Sequence, residues 1–138
     1  MSDSALTASR RQFLCAIAGL PITIATPSLY ADSPRPSNKW RIEFSEGANS
    51  DGVITFLLTP ETGHGQIIKA EIPDGTSENH VARMVRDAFR SQLEPKHYKI
   101  EIDDGEDVLV KRKHGQADFV LELVSSGVKS VRIHIQRE

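Results

Sequence analysis

Apolar residues recur along this chain with two periods, and the period changes twice. Trp40, Ile42 and Phe44 alternate with Arg41 and Glu43, the two-residue repeat of a strand with one buried face. A polar loop, Glu46-Gly47-Ala48-Asn49-Ser50-Asp51-Gly52, leads to Val53-Ile54-Thr55-Phe56-Leu57-Leu58, a second and more deeply buried strand. Pro60-Glu61-Thr62-Gly63-His64-Gly65 separates it from a third, Gln66-Ile67-Ile68-Lys69-Ala70-Glu71-Ile72. Pro73-Asp74-Gly75-Thr76-Ser77 is a turn into a helix, where a Thr or Ser hydroxyl is expected to accept from the first-turn amides. Val81, Met84, Val85, Ala88, Phe89 and Leu93 then follow at three- and four-residue spacing, which predicts a helix over 77–92. Glu94-Pro95 ends it, because the residue before proline is steered out of the helical region.

Beyond the helix the period returns to two. Tyr98, Ile100 and Ile102 form one strand, and Val108-Leu109-Val110-Lys111-Arg112 the next, across the turn Asp103-Asp104-Gly105-Glu106-Asp107. After a turn at Lys113-His114-Gly115-Gln116, Phe119, Leu121 and Leu123 mark a strand that turns at Ser125-Ser126-Gly127. Val131, Ile133 and Ile135 mark the last. Short connections favour antiparallel hairpins. The expected fold class is α+β: one antiparallel sheet of six to seven strands in the order βββ-α-ββββ, with the single helix packed on one face. Residues 53–123, with Asp74-Gly75-Thr76-Ser77 opening the lone helix, resemble the small ββαβββ modules of bacterial envelope and phage-tail proteins. That resemblance implies a fold and no activity.

The first 31 residues have a different character. Ser9-Arg10-Arg11-Gln12-Phe13-Leu14 precedes a run from Cys15 to Ala31 without a charged side chain. This motif resembles the bacterial twin-arginine export signal, in which Ser9, Arg10, Arg11, Phe13 and Leu14 are the fixed positions. Gly19, Pro21 and Pro27 keep the run too soft for a membrane span and argue against a continuous helix. Ala31 is the expected cleavage position, since a small residue is required there. Retention of the signal as an anchor is the alternative outcome. The resemblance implies a twin-arginine translocase and a signal peptidase as partners during export, a periplasmic or secreted destination, and no stable membrane span after cleavage. The expected organisation is a signal over 1–31, a flexible leader over 32–38, and a single domain over 39–138.

Composition then narrows the function. Residues 32–138 hold 15 of the 17 Lys and Arg, Arg10 and Arg11 being in the signal, and 18 of the 19 Asp and Glu, Asp3 being the exception. The resulting charge near −3 excludes the net basic footprint of a nucleic-acid binder. The only cysteine, Cys15, lies in the signal. Disulfides, iron–sulfur clusters, blue copper, c-type haem and a cysteine sulfur carrier are excluded from the mature part, and no cofactor is expected.

Several residues carry candidate chemistry. His64, between Gly63 and Gly65, is the candidate general base or lone metal ligand, although no partner stands at a recognisable spacing. The histidines His64, His80, His97, His114 and His134 show no ligand spacing, so no metal site is read from them. Asp103, Asp104, Glu106 and Asp107 are candidate calcium ligands, yet they lack the twelve-residue loop register and read as a solvated Asp-Gly turn. Lys111, Arg112 and Lys113, with His114, form a basic patch for an anionic envelope surface or an acidic partner, or a charged guard on an edge strand. Arg83, Arg86 and Arg90 line one side of the helix, with Asp87 within reach for weak intrahelical pairs, and are candidates for partner docking. The reading that follows is an exported, non-enzymatic binding or accessory module with an envelope protein partner. The alternatives are a small cofactor-free hydrolase using His64 with a nearby carboxylate, and a metal-binding envelope protein.

Overall fold

The computed structural model describes residues 33–138; the export motif Ser9, Arg10, Arg11, Phe13 and Leu14, with Cys15 and the cleavage position Ala31, lies outside the described residues. Among the described residues, seven strands and one helix follow in the expected order. They are β1 (Lys39–Ser45), β2 (Gly52–Pro60), β3 (Gln66–Ile72), α1 (Glu78–Gln92), β4 (Tyr98–Asp103), β5 (Asp107–Arg112), β6 (Phe119–Ser126) and β7 (Arg132–Arg137). The fold is α+β, with every strand pair antiparallel.

The strands divide between two sheets where one was expected. A four-stranded sheet runs β4-β5-β1-β7 and a three-stranded sheet runs β3-β2-β6. The single-sheet expectation assumed that consecutive strands pair, and that holds only for the hairpins β2–β3 and β4–β5. Between β1 and β2 the chain changes layer. Glu46 adopts a positive φ of 68°, Ala48 is buried, and its N–H and C=O bond to Thr76 and Gly75. Asn49 N–H reaches the carbonyl of Lys129, which ties the same loop to the approach to β7.

Alternation builds the core. Trp40, Ile42 and Phe44 of β1 and Val108 and Val110 of β5 come from one sheet. Ile54, Phe56 and Leu58 of β2, Ile68, Ala70 and Ile72 of β3, and Phe119 and Leu121 of β6 come from the other. All belong to one buried cluster, so each sheet turns its apolar face to the shared interior. Tyr98 of β4 and Phe119 of β6 meet edge to face at 5.3 Å, one aromatic from each sheet. The Trp40 indole N–H donates to the Phe119 carbonyl at 2.7 Å, so the ring is both buried and satisfied.

α1 fills one side of this two-layered core and buries Val81, Ala82, Val85 and Phe89. It also finishes the two strand edges beside it. The Gln92 amide accepts from Lys69 N–H at 2.9 Å and donates to Lys69 C=O at 2.7 Å, as a neighbouring strand of β3 would. The Arg90 guanidinium donates to the Ile100 carbonyl of β4 at 2.8 Å.

Three local expectations are corrected. Ser77 is the N-cap residue of α1, but no hydroxyl caps the helix: the Ser77 hydroxyl pairs with His80 Nδ1 and Thr76 Oγ1 donates to the Pro73 carbonyl. β6 does not turn at Ser125 but continues to Ser126, because a bulge opposite Thr55/Phe56 absorbs an extra residue. The leader is pinned before residue 38: Ser37 exchanges backbone bonds with Phe119 at 2.9 and 3.0 Å.

Candidate functional site

The outward face of the four-stranded sheet brings together three of the charged residues singled out from sequence, Asp103, Asp107 and Lys111. Register sets Arg41 of β1 opposite Leu109 of β5, with Glu101 of β4 beyond it. Arg41 donates to Asp107 at 2.7 Å, to Asp103 at 2.9 Å, and to Glu138. These contacts raise the Arg41 pKa further above its ordinary value, Glu138 contributing most and Asp107 next. Lys111 reaches Glu101 at 2.7 Å and Lys99 reaches the same carboxylate at 2.6 Å. Leu109 is buried beneath this lattice, outside the main core, where lysine and arginine stems cover apolar surface.

This arrangement revises two sequence readings. The Asp103, Asp104, Glu106, Asp107 turn is not merely solvated: Asp103 and Asp107 answer the cation of Arg41. Asp104 and Gly105 take φ of 50° and 84°, so the turn uses the two residue types that tolerate that geometry best. Nor is the basic patch free to dock an anion as a unit. Lys111 is held by Glu101 and Arg112 by Asp118, which leaves Lys113 as the exposed member of the three.

Acid sensitivity follows from the same lattice. Hydrogen bonds from Lys111 first and Lys99 second hold Glu101 down to about 2, from an ordinary 4.5. Arg41 and then Lys39 lower Glu138 likewise. A carboxylate whose folded pKa is depressed contributes stability above its unfolded pKa and loses it as pH falls through the folded value. Melting temperature is therefore expected to decline from pH 4.5 down to about 2, and Glu101→Gln to flatten that decline. Thermal unfolding of both proteins across this range checks it.

The remaining candidates fall elsewhere. His64 is exposed on the loop joining β2 and β3. At its neighbour Gly65 a Cβ would meet only the movable side-chain ends of Leu57 and Thr59, so packing does not demand glycine there. An open groove of about 1140 Å³ runs from α1 across β3 and β2 to the end of β6, walled by Met84 and Ala88, by Lys69, by Val53 and Thr55, and by Ser125; His64 is not among its walls. His134 is exposed on β7 and His80 sits in the first turn of α1. Among the described residues, no group of three or more His, Cys, Asp or Glu is placed to hold a metal ion. Nor is any described helix long and apolar enough to cross a membrane.

The helix arginines do not act as one stripe. Arg86 pairs with the adjacent Asp87 at 2.9 Å, and Arg90 anchors α1 to β4. Arg83 remains exposed on the helix.

A feature missed in sequence is the distribution of exposed apolar surface. Among the described residues the exposed large hydrophobics are Val53, Ile67, Leu123 and Val124. All four lie on β2, β3 and β6, the strands of the three-stranded sheet. Val53 stands opposite Glu71 and Ile67 opposite Leu57 on the sheet's outward face, and Leu123 and Val124 lie at the bulge of β6. The adjacent pair Leu123-Val124 breaks the alternation begun by Phe119 and Leu121, which was the available signal for the bulge. The molecule thus has one outward face covered by ion pairs and another with uncovered apolar groups. Neither a protein-family model nor a curated protein matches the chain.

Proposed function

We propose that the chain is a small protein exported by the twin-arginine route that works in the periplasm or beyond it as a non-enzymatic binding or accessory module. The export half rests on Ser9-Arg10-Arg11-Gln12-Phe13-Leu14 and the uncharged run to Ala31. The binding half rests on one observation: every exposed large apolar side chain among the described residues belongs to the three-stranded sheet. Apolar exposure confined to one sheet points to that sheet as the interaction surface more than exposure scattered over the molecule would.

The export half has a direct test. In a Gram-negative host, the double substitution Arg10→Lys, Arg11→Lys is expected to leave uncleaved chain in the cytoplasm, while the wild type accumulates as periplasmic protein beginning at Asp32. Fractionation with intact-mass measurement reads both. Periplasmic delivery of the double variant at the wild-type level would count against the twin-arginine route.

A further inference from the structure

We infer that the free edge of β6 accepts an added strand from a partner protein, a segment in which apolar residues alternate with acidic ones; this rests on the binding-module reading above. The backbone supplies the first argument. Phe119 gives both its N–H and its C=O to Ser37, so its peptide groups point away from β2. Peptide groups alternate along a strand, so those of Leu121 and Leu123 point the same way. Beyond Ser37 no described residue pairs with this edge.

The contrast with the opposite side supplies the second. There α1 closes the gap between the sheets, and Gln92 and Arg90 answer the edges of β3 and β4. On the β6 side the facing element is β7, the other sheet's edge, which pairs only with β1. Its Ile133 and Ile135 are half-buried against the core. Leu123 and Val124 on β6 are 39% and 54% exposed. An exposed edge with apolar side chains beside it is the template for strand addition.

Charge selects the occupant. From Leu123 to Arg137 the chain carries Lys129, Arg132, His134 and Arg137 and no acidic residue, in a mature domain that is net acidic. Arg132 meets Glu46 at 3.3 Å yet stays 77% exposed, and Glu122 is the one acidic side chain on β6. An incoming strand with acidic side chains is attracted to this border, and a basic one is repelled.

Mature chain purified from the periplasm is titrated against a fluorescein-labelled heptapeptide alternating valine with glutamate, and against its lysine counterpart. Saturable anisotropy is expected with the glutamate peptide, at least tenfold weaker with the lysine peptide. Leu123→Pro removes an N–H aimed at the open edge and none of the β2 ladder; it is expected to weaken binding at least tenfold. The double variant Arg132→Glu, Arg137→Glu lies on the surface and is expected to do the same, so the result does not hang on the proline variant folding. Absence of saturable binding, equal binding of the two peptides, or full binding by both variants overturns the inference. Self-association abolished by Leu123→Pro, without peptide binding, gives the edge to a second copy and overturns it too. If a periplasmic partner co-purifies equally with wild type and Leu123→Pro, the inference fails and the binding-module reading stands; if the wild type retains no partner, that reading itself fails.

Discussion

Phe89→Ala is expected to remove about 3–5 kcal/mol of unfolding free energy, a large fraction of the roughly 5–15 kcal/mol that holds a domain of this size together. Phe89 is fully buried on α1, and its ring sits 5.2 Å from that of Phe56 on β2, tilted by 59°. The pair fastens the helix to the three-stranded sheet, while Val81, Ala82 and Val85 complete the buried face. Truncation leaves a cavity bounded by strands that cannot close in without breaking their own ladders. Urea unfolding measures the loss. Arg83→Ala, on the exposed side of the same helix, is the comparison and is expected to stay within about 0.5 kcal/mol of wild type. A loss below about 1 kcal/mol for Phe89→Ala would mean that α1 does not close the core as described.

Gly52→Ala is expected to cost about 1–3 kcal/mol, at the upper end of that range, without removing any side-chain contact. A Cβ at Gly52 would lie 2.5 Å from the Gly127 carbonyl oxygen and 2.8 Å from the Val128 nitrogen. Both obstacles are backbone, so no side-chain rotation relieves them. β2 would have to move away from the end of β6, where Gly127 N–H donates to the Val53 carbonyl at 3.0 Å. Gly63→Ala makes the control, since a Cβ there meets only Pro60 side-chain atoms at 3.7 Å and beyond. Parallel thermal unfolding should show a clear drop in melting temperature for Gly52→Ala and little change for Gly63→Ala. Equal behaviour of the two variants would contradict the close approach of β2 to Gly127.

The elements were legible because each is defined by local alternation. The third strand has the boundaries that periodicity predicts, and the helix starts one residue later than expected, at Glu78. Partnership between strands was less legible. Trp40-Ile42-Phe44 and Ile54-Phe56-Leu58 look like neighbours in one sheet, yet the buried Ala48 and its bonds to Thr76 and Gly75 send them to different layers. Nothing in Glu46-Gly47-Ala48-Asn49 announces those distant partners.

The charged candidates show the same limit. Its own stretch shows each charge only beside its chain neighbours, and the register decides what it does. Arg41 seemed only the polar half of an alternating strand, yet it joins Asp103, Asp107 and Glu138. Gln92 seemed an ordinary helix end, yet its amide completes β3. Ser37 seemed part of a mobile leader, yet it occupies the start of the β6 edge.

The central claim is that an exported domain holds a partner through its three-stranded sheet. Affinity purification of tagged chain from the periplasmic fraction, with mass spectrometry of the chain and of everything that co-elutes, tests it most directly. The account predicts a mature chain beginning at Asp32 together with one stoichiometric protein partner. A clean monomer beginning at Asp32 with nothing attached would contradict the binding claim, and a cytoplasmic chain beginning at Met1 would contradict export as well.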